Sequence, residues 1–311
     1  GLKVGDIIQT INGFEVTRDS FWKIEYFFYD LMPVQKVNVV VQDQKGQVHQ
    51  LEITTQTAKR PKTKIYEEDA PSPNPPEYYE EGEDLIVCKL REFDLNNKQV
   101  DEMMKKISQH KTLVLDLRRN PGGRLDMLKK MVAYLFDHDV KLGDTKSRKE
   151  TLSYVAKTRG ERSFKGKLIV LVDSKSASAS EIFSRIVQIE KRGIVIGDKT
   201  AGAVMAGGQF DYALGNNGGL GGMMWNRNNL PILYGASITV ADFIMSDGKS
   251  LERVGVRPDV MLLPSQDMVA VHRDPVMASA IGIAGIKMDA EKAATLFPLE
   301  SKTELLSEGK Q

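Results

Sequence analysis

Two short stretches crowd serine, alanine and glycine at spacings that suit acyl-transfer chemistry. Val172–Phe183 reads V-D-S-K-S-A-S-A-S-E-I-F. The run before it, Lys167–Val172 (K-L-I-V-L-V), has the pattern of a strand buried on both faces. After it, Ile182, Phe183, Ile186, Val187 and Ile189 recur at helical spacing. A serine at such a strand-to-helix junction has unpaired backbone N–H groups and the positive end of the helix dipole beside its hydroxyl, and both stabilise a developing oxyanion. The same residues also suit a plain helix N-cap whose small side chains let the helix approach its strand.

A second stretch favours the chemical reading. Thr112–Leu117 (T-L-V-L-D-L) is another buried-strand run, followed by Arg118-Arg119-Asn120-Pro121-Gly122-Gly123 and a helical pattern from Leu125 to Phe136. Pro121 stops the strand, and two glycines permit positive φ or a close backbone approach. Their amides could point at a substrate carbonyl.

D-L-R-R-N-P-G-G, then S-A-S-A-S-E-I and G-D-K-T-A-G in that order, resembles the tail-specific, or carboxyl-terminal processing, serine proteases. Gly1–Gly13 (G-L-K-V-G-D-I-I-Q-T-I-N-G) is similar to the second half of that family's PDZ domain, and Gly248–Asp259 (G-K-S-L-E-R-V-G-V-R-P-D) to its C-terminal signature. The resemblance implies a crotonase-like (ClpP-like) α/β protease core with a partial PDZ domain and a helical C-terminal tail. It implies Ser178 as nucleophile, with an oxyanion hole from the amides of Ala179 and of Gly122 or Gly123. It further implies a peptide or protein substrate, no cofactor, and an extracytoplasmic (periplasmic or secreted) location; a homo-oligomeric state is left open.

One position departs from the pattern. The best-known members carry a catalytic lysine in T-F-G-K, whereas this chain reads T-A-G-A from Thr200, which puts Ala203 at the lysine position. A methyl group cannot accept a proton. T-A-G-A resembles the branch of the tricorn protease, in which a histidine ahead of the PDZ domain acts with a glutamate from the core. That implies a base encoded before Gly1, with Glu252 as its orienting glutamate or, more plainly, as a surface charge. Within the chain, His110 and His138 follow helices, where dipole complementarity accounts for them, and Lys175 and Lys199 lie in polar neighbourhoods that keep an ammonium solvated.

Composition excludes several other classes. Over 311 residues, 43 Lys plus Arg against 42 Asp plus Glu give a net charge of +1 and no electrostatic case for nucleic acid. No run of about 18 apolar residues suggests a membrane span. Four histidines and the single Cys88, itself within an apolar run, do not assemble a metal site or a disulfide.

The expected organisation is a partial PDZ-like domain at 1–57, a Pro-rich linker at 58–83, a protease core at 84–264 and a helical segment at 265–311 that packs on the core. Between Thr200 and Asn229 the glycine-rich sequence reads as a flap beside the nucleophile, and Ile232–Met245 as a strand pair. Two function classes fit. One is a serine endopeptidase; the other is a non-catalytic peptide- or apolar-ligand-binding protein, since interphotoreceptor retinoid-binding protein repeats resemble the same family.

Overall fold

The computed structural model describes residues 1–32, 34–55, 71–213 and 232–298. Contacts divide the chain into two units, 1–67 with 262–311 and 68–261.

The first unit opens with β1 (Ile7–Ile11) and β2 (Phe14–Glu15), then α1 (Phe21–Glu25), which runs on into a π-helical stretch, Tyr26–Leu31. β3 (Lys36–Gln42) and β4 (Val48–Thr54) form a hairpin around Lys45-Gly46, and the antiparallel sheet runs β2-β1-β3-β4. Asp43 shapes that turn by accepting from the Lys45 and Gln47 amides, each at 2.9 Å, with Gly46 at φ +78°. α1 starts only at Phe21, after a turn in which the Thr17 and Ser20 side chains bond each other and the local backbone.

The second unit holds a six-stranded sheet. In chain order its parts are β5 (Glu77–Glu81), β6 (Leu85–Lys89), α2 (Asn97–Ile107), β7 (Thr112–Asp116), α3 (Leu125–Leu135), β8 (Val140–Ser147), β9 (Thr151–Ala156), β10 (Lys167–Val172), α4 (Ala179–Ile189), β11 (Ile194–Gly197), β12 (Ala206–Ala213), β13 (Ile232–Met245) and β14 (Val260–Met261). The large sheet runs β14-β11-β10-β7-β6-β5, parallel except for β5, which pairs antiparallel with β6. Alternate residues of the central strands (Ile86, Cys88, Leu113, Leu115, Leu168, Val170) form one core with the apolar faces of α2, α3 and α4. Both faces of these strands are buried, as their unbroken apolar runs predict.

Two expectations change here. β5 lies inside the stretch expected as linker, where Tyr78 pairs with Cys88 and packs on the core. Ile232–Met245 is one long strand instead of two: its first part pairs with β12 and its second with β8, in a second sheet ordered β12-β13-β8-β9. Part of the expected glycine-rich flap, 214–231, and part of the expected linker and tail lie outside the described residues.

Residues 262–298 belong to the first unit. They form α5 (Gln266–Ala270), α6 (Pro275–Ile283) and α7 (Ala290–Ala294), capped by the side chains of Ser265, Asp274 and Asp289. The segment is broken where His272 and Gly285 take positive φ. Among the described residues, no helix is long and apolar enough to cross a membrane.

Candidate active site

Parallel pairing decides where the chemistry-bearing turns emerge. Lys89 pairs with Asp116, Asp116 with Leu171 and Val172 with Gly197, so β6, β7, β10 and β11 all end at one edge of the sheet. The loops 117–124, 173–178 and 198–205 leave from that edge, the common location of sites in such sheets.

Asn120 ties the first two loops together. Its carbonyl accepts from the Ala177 amide and from the Ser180 hydroxyl, each at 3.0 Å, and its buried side chain bridges the Leu90 carbonyl and the Gly122 amide. Ser176 adds a second tie through its hydroxyl, which donates to the Leu117 carbonyl at 2.8 Å. Two of the three serines of S-A-S-A-S are thus buried and used for structure. Ser178 differs: it is half-buried, and its hydroxyl donates to no protein acceptor among the described residues.

Ser178 also carries an unusual backbone, with φ 52° and ψ −116°, immediately before α4. A non-glycine residue in that region stores strain on the order of 1–3 kcal/mol and persists only where its surroundings hold it, as nucleophile-bearing strand-to-helix turns do. Gly122 packs directly on it. A Cβ there would fall 2.6 Å from the Ser178 Cβ and 2.9 Å from the Ala179 nitrogen, so the residue must be glycine, and its φ of +105° demands the same.

The amides sort themselves by what they already bond. Gly122 donates to Asn120 Oδ1 at 2.8 Å, which removes it as the expected oxyanion donor. The amides of Gly123 and Ala179 have no partner among the described residues. An oxyanion beside Ser178 would satisfy groups that the fold leaves unpaired.

Glu181, unassigned from sequence, organises the third loop. Its buried carboxylate accepts from Thr200 Oγ1 at 2.5 Å, Gly202 N at 2.7 Å, Ala203 N at 2.9 Å and Ser178 N at 3.1 Å. Burial pushes its pKa above the ordinary value, while these four donors pull the other way. Ser178-x-x-Glu181 has the spacing of a helix capping box, a signal that was readable in the sequence.

Ala203 stands next to the nucleophile, its carbonyl 3.0 Å from the Ser178 amide. Glu252, expected as the orienting glutamate or as a surface charge, accepts from the Val204 amide at 2.9 Å and the Met205 amide at 3.3 Å. Its carboxylate fixes backbone, and no histidine meets it among the described residues.

Three of the four histidines lie on other partners. His138 bridges Asp137 and Glu190, His110 faces Glu80, and His49 faces Asp43. A charged trio supports the glycine turn from the strand side: Lys89 Nζ lies 3.2 Å from Asp116 and donates to the Arg118 carbonyl at 2.6 Å, while the Arg118 guanidinium holds both oxygens of Asp116. Burial raises the Asp116 pKa, but the Arg118 and Lys89 charges outweigh it and hold the carboxyl well below the usual range. Burial in turn lowers the Lys89 pKa.

Residues 84–262 match Peptidase family S41. The chain belongs to that family. Among curated relatives, it is 29% identical over 181 residues to a carboxy-terminal-processing protease of Bartonella bacilliformis, covering 57% of this chain and 37% of that protein. It is 31% identical over 124 residues to a tail-specific protease of Haemophilus influenzae, covering 39% of this chain and 18% of that protein. The chain therefore matches well under half the length of these S41 relatives. Among solved structures, the photosystem II D1 C-terminal processing protease aligns with TM-score 0.54 at 21% identity, over 96% of this chain and 70% of the other. Mature CPAF aligns with TM-score 0.58 at 12% identity, over 87% and 74%. At such identities the likeness speaks for the S41 fold alone.

Proposed function

We propose that this S41 chain carries the nucleophile and oxyanion hole of a serine endopeptidase of the carboxyl-terminal processing type, acting on peptides or unfolded protein. The observation that carries the reading is the strained backbone of Ser178 at the start of α4, with a hydroxyl that donates to no acceptor and with amides of Ala179 and Gly123 that have no partner among the described residues. Ser178 Oγ attacks the scissile carbonyl carbon and gives its proton to a base. The carbonyl oxygen becomes an oxyanion facing the two amides. When the tetrahedral intermediate collapses, the C–N bond breaks and the amine leaves with the proton from the base; water then releases the acyl group by the same route in reverse.

Ala203 supplies no base, and Glu181 and Glu252 act as positioning carboxylates. The base this reading proposes is a histidine in a segment ahead of residue 1, and what supports it is the T-A-G-A sequence, which resembles that of tricorn-like members. The same resemblance supports a crotonase-like core, a PDZ-like reading of residues 1–57 and an extracytoplasmic setting. The second reading, a binding protein on this scaffold, is favoured by one observation, the methyl group at position 203 beside Ser178.

Hydrolysis of casein, an unstructured protein, separates the two. A form of the protein extended upstream of Gly1 should cleave it and lose that activity on Ser178→Ala, while residues 1–311 should be weaker by about 10⁴-fold or more, as when a triad loses its base. An inactive extended form that binds apolar ligands supports the binding-protein reading.

A further inference from the structure

The Pro-rich stretch ahead of β5 is fastened to the loop that lies along the glycine turn. Pro71-Ser72-Pro73-Asn74-Pro75-Pro76 is mostly proline, which has no N–H, so only Ser72 and Asn74 bring backbone donors. Both converge on one contact. The Ser72 amide donates to Gln99 Oε1 at 2.9 Å, the Asn74 amide donates to Ser72 Oγ at 3.0 Å, and Ser72 Oγ donates to Asp94 Oδ2 at 2.6 Å. Ser72 is 8% exposed, so this bond to a carboxylate is sheltered from water and stronger than one at the surface. Asp94 follows Phe93, whose main chain is bonded to the turn on both sides. The Phe93 amide donates to the Gly122 carbonyl at 2.7 Å, and the Phe93 carbonyl accepts from the Arg124 amide at 2.6 Å. Between those two bonds stands the Gly123 amide, which has no partner among the described residues. The Phe93 ring in turn lies 6.4 Å from that of Phe183 in α4, the helix that Ser178 opens.

We propose that Ser72 is a positioning residue of the active site, which holds Asp94 and, through Phe93, sets the direction of the Gly123 amide toward the oxyanion. The proposal rests on the peptidase reading above. Asp94 Oδ1 is buried without a partner among the described residues, so the Ser72 hydroxyl is the one donor this carboxylate has there. Without it the carboxylate must turn toward water, because a buried charge with no donor is costly. Phe93 then moves by main-chain continuity, and Gly122 and Arg124 move with it through their bonds. The turn has little slack to absorb this: a Cβ on Gly123 would fall 2.4 Å from the Phe93 carbonyl oxygen. Displacing a positioning group by as little as about 1 Å can cost on the order of 10²-fold in rate. No reacting group lies on this route, so Ser72 affects rate by geometry alone.

The test follows phosphonylation of Ser178 by an alkyl fluorophosphonate in the form extended upstream of Gly1, and separates the maximal rate kinact from the half-saturating concentration KI. Ser178 Oγ bonds to phosphorus as fluoride leaves, the hydroxyl proton passes to the base, and the phosphonyl oxygen takes the place of the oxyanion. Ser72→Ala should lower kinact about 10-fold with KI unchanged, a smaller loss than removing an oxyanion donor outright. Asp94→Ala should do the same. The double variant should be no slower than either single one, because all three remove one bond. A lowered urea midpoint with unchanged kinact in both single variants makes the contact purely structural and overturns the positioning role, while the nucleophile stands. Additive losses in the double variant overturn it as well. Failure of the parent chain to label at Ser178 overturns the peptidase reading and the positioning role together.

Discussion

The Ser178 amide donates to the Ala203 carbonyl at 3.0 Å, and the Ala203 amide donates to the Glu181 carboxylate at 2.9 Å. The position where the resemblance expects a lysine is thus bonded to the nucleophile through the main chain on one side and to a buried carboxylate on the other. Ala203 itself is exposed, so a longer side chain there can be accommodated.

Ala203→Lys should therefore bring an ammonium to the edge of the Ser178 turn without loss of stability. Desolvation beside Ser178 would lower its pKa and let it act as a base. The expected outcome is faster casein hydrolysis by residues 1–311, on the order of 10²-fold for one added general base, with an unchanged urea midpoint. No gain at any pH up to about 10 would show that a side chain at 203 cannot reach the hydroxyl.

Glu181→Gln replaces an acceptor of four donors with a group that carries an N–H₂ of its own. At least one of the donors from Thr200, Gly202, Ala203 or Ser178 then faces another donor. A stability loss of about 2–4 kcal/mol is expected in urea denaturation, because buried groups lose a charge-assisted partner. A loss below about 0.5 kcal/mol would mean the carboxylate does not organise the loop.

Gly122→Ala drives a methyl group into Ser178 and forces an L-residue to φ +105°. A loss of about 2–4 kcal/mol should accompany loss of Ser178 reactivity toward fluorophosphonates. Normal stability and labelling would contradict the close approach of the two turns.

Asp116→Asn should cost about 3–5 kcal/mol at pH 7, since it leaves Lys89 and Arg118 without their buried counter-charge. Because the Asp116 pKa is depressed in the fold, its contribution is complete above the ordinary value of 3.8 and is lost as pH falls toward the lower folded value. The difference between parent and variant should narrow by about 1 kcal/mol between pH 7 and pH 3. A difference independent of pH would remove Asp116 as a charged partner.

The long elements were legible because their patterns are strong. Unbroken apolar runs marked β6, β7 and β10, and helical periodicity marked α2, α3 and α4 to within two residues at each end. β5, β8 and β9 were missed, since charged and polar residues such as Glu80, Lys146 and Ser153 leave no clean alternation, and their strand form comes from pairing with neighbours. In the site, types and spacing pointed to Ser178 and to the glycine turn. They could not tell which glycine amide is already bonded, because that depends on the rotamer of Asn120, nor that Glu252 turns toward backbone. The buried pair Lys89 and Asp116, which Arg118 joins, links two strands distant in sequence, and only the register brings it together.

Ser178 is proposed as a nucleophile held ready by its turn. Intact-mass measurement of the form extended upstream of Gly1, after exposure to an alkyl fluorophosphonate, tests it most directly. The expected result is one adduct, on Ser178, absent from Ser178→Ala and still formed in Ser174→Ala. No adduct on the parent chain, or an equal adduct on Ser178→Ala, would contradict it.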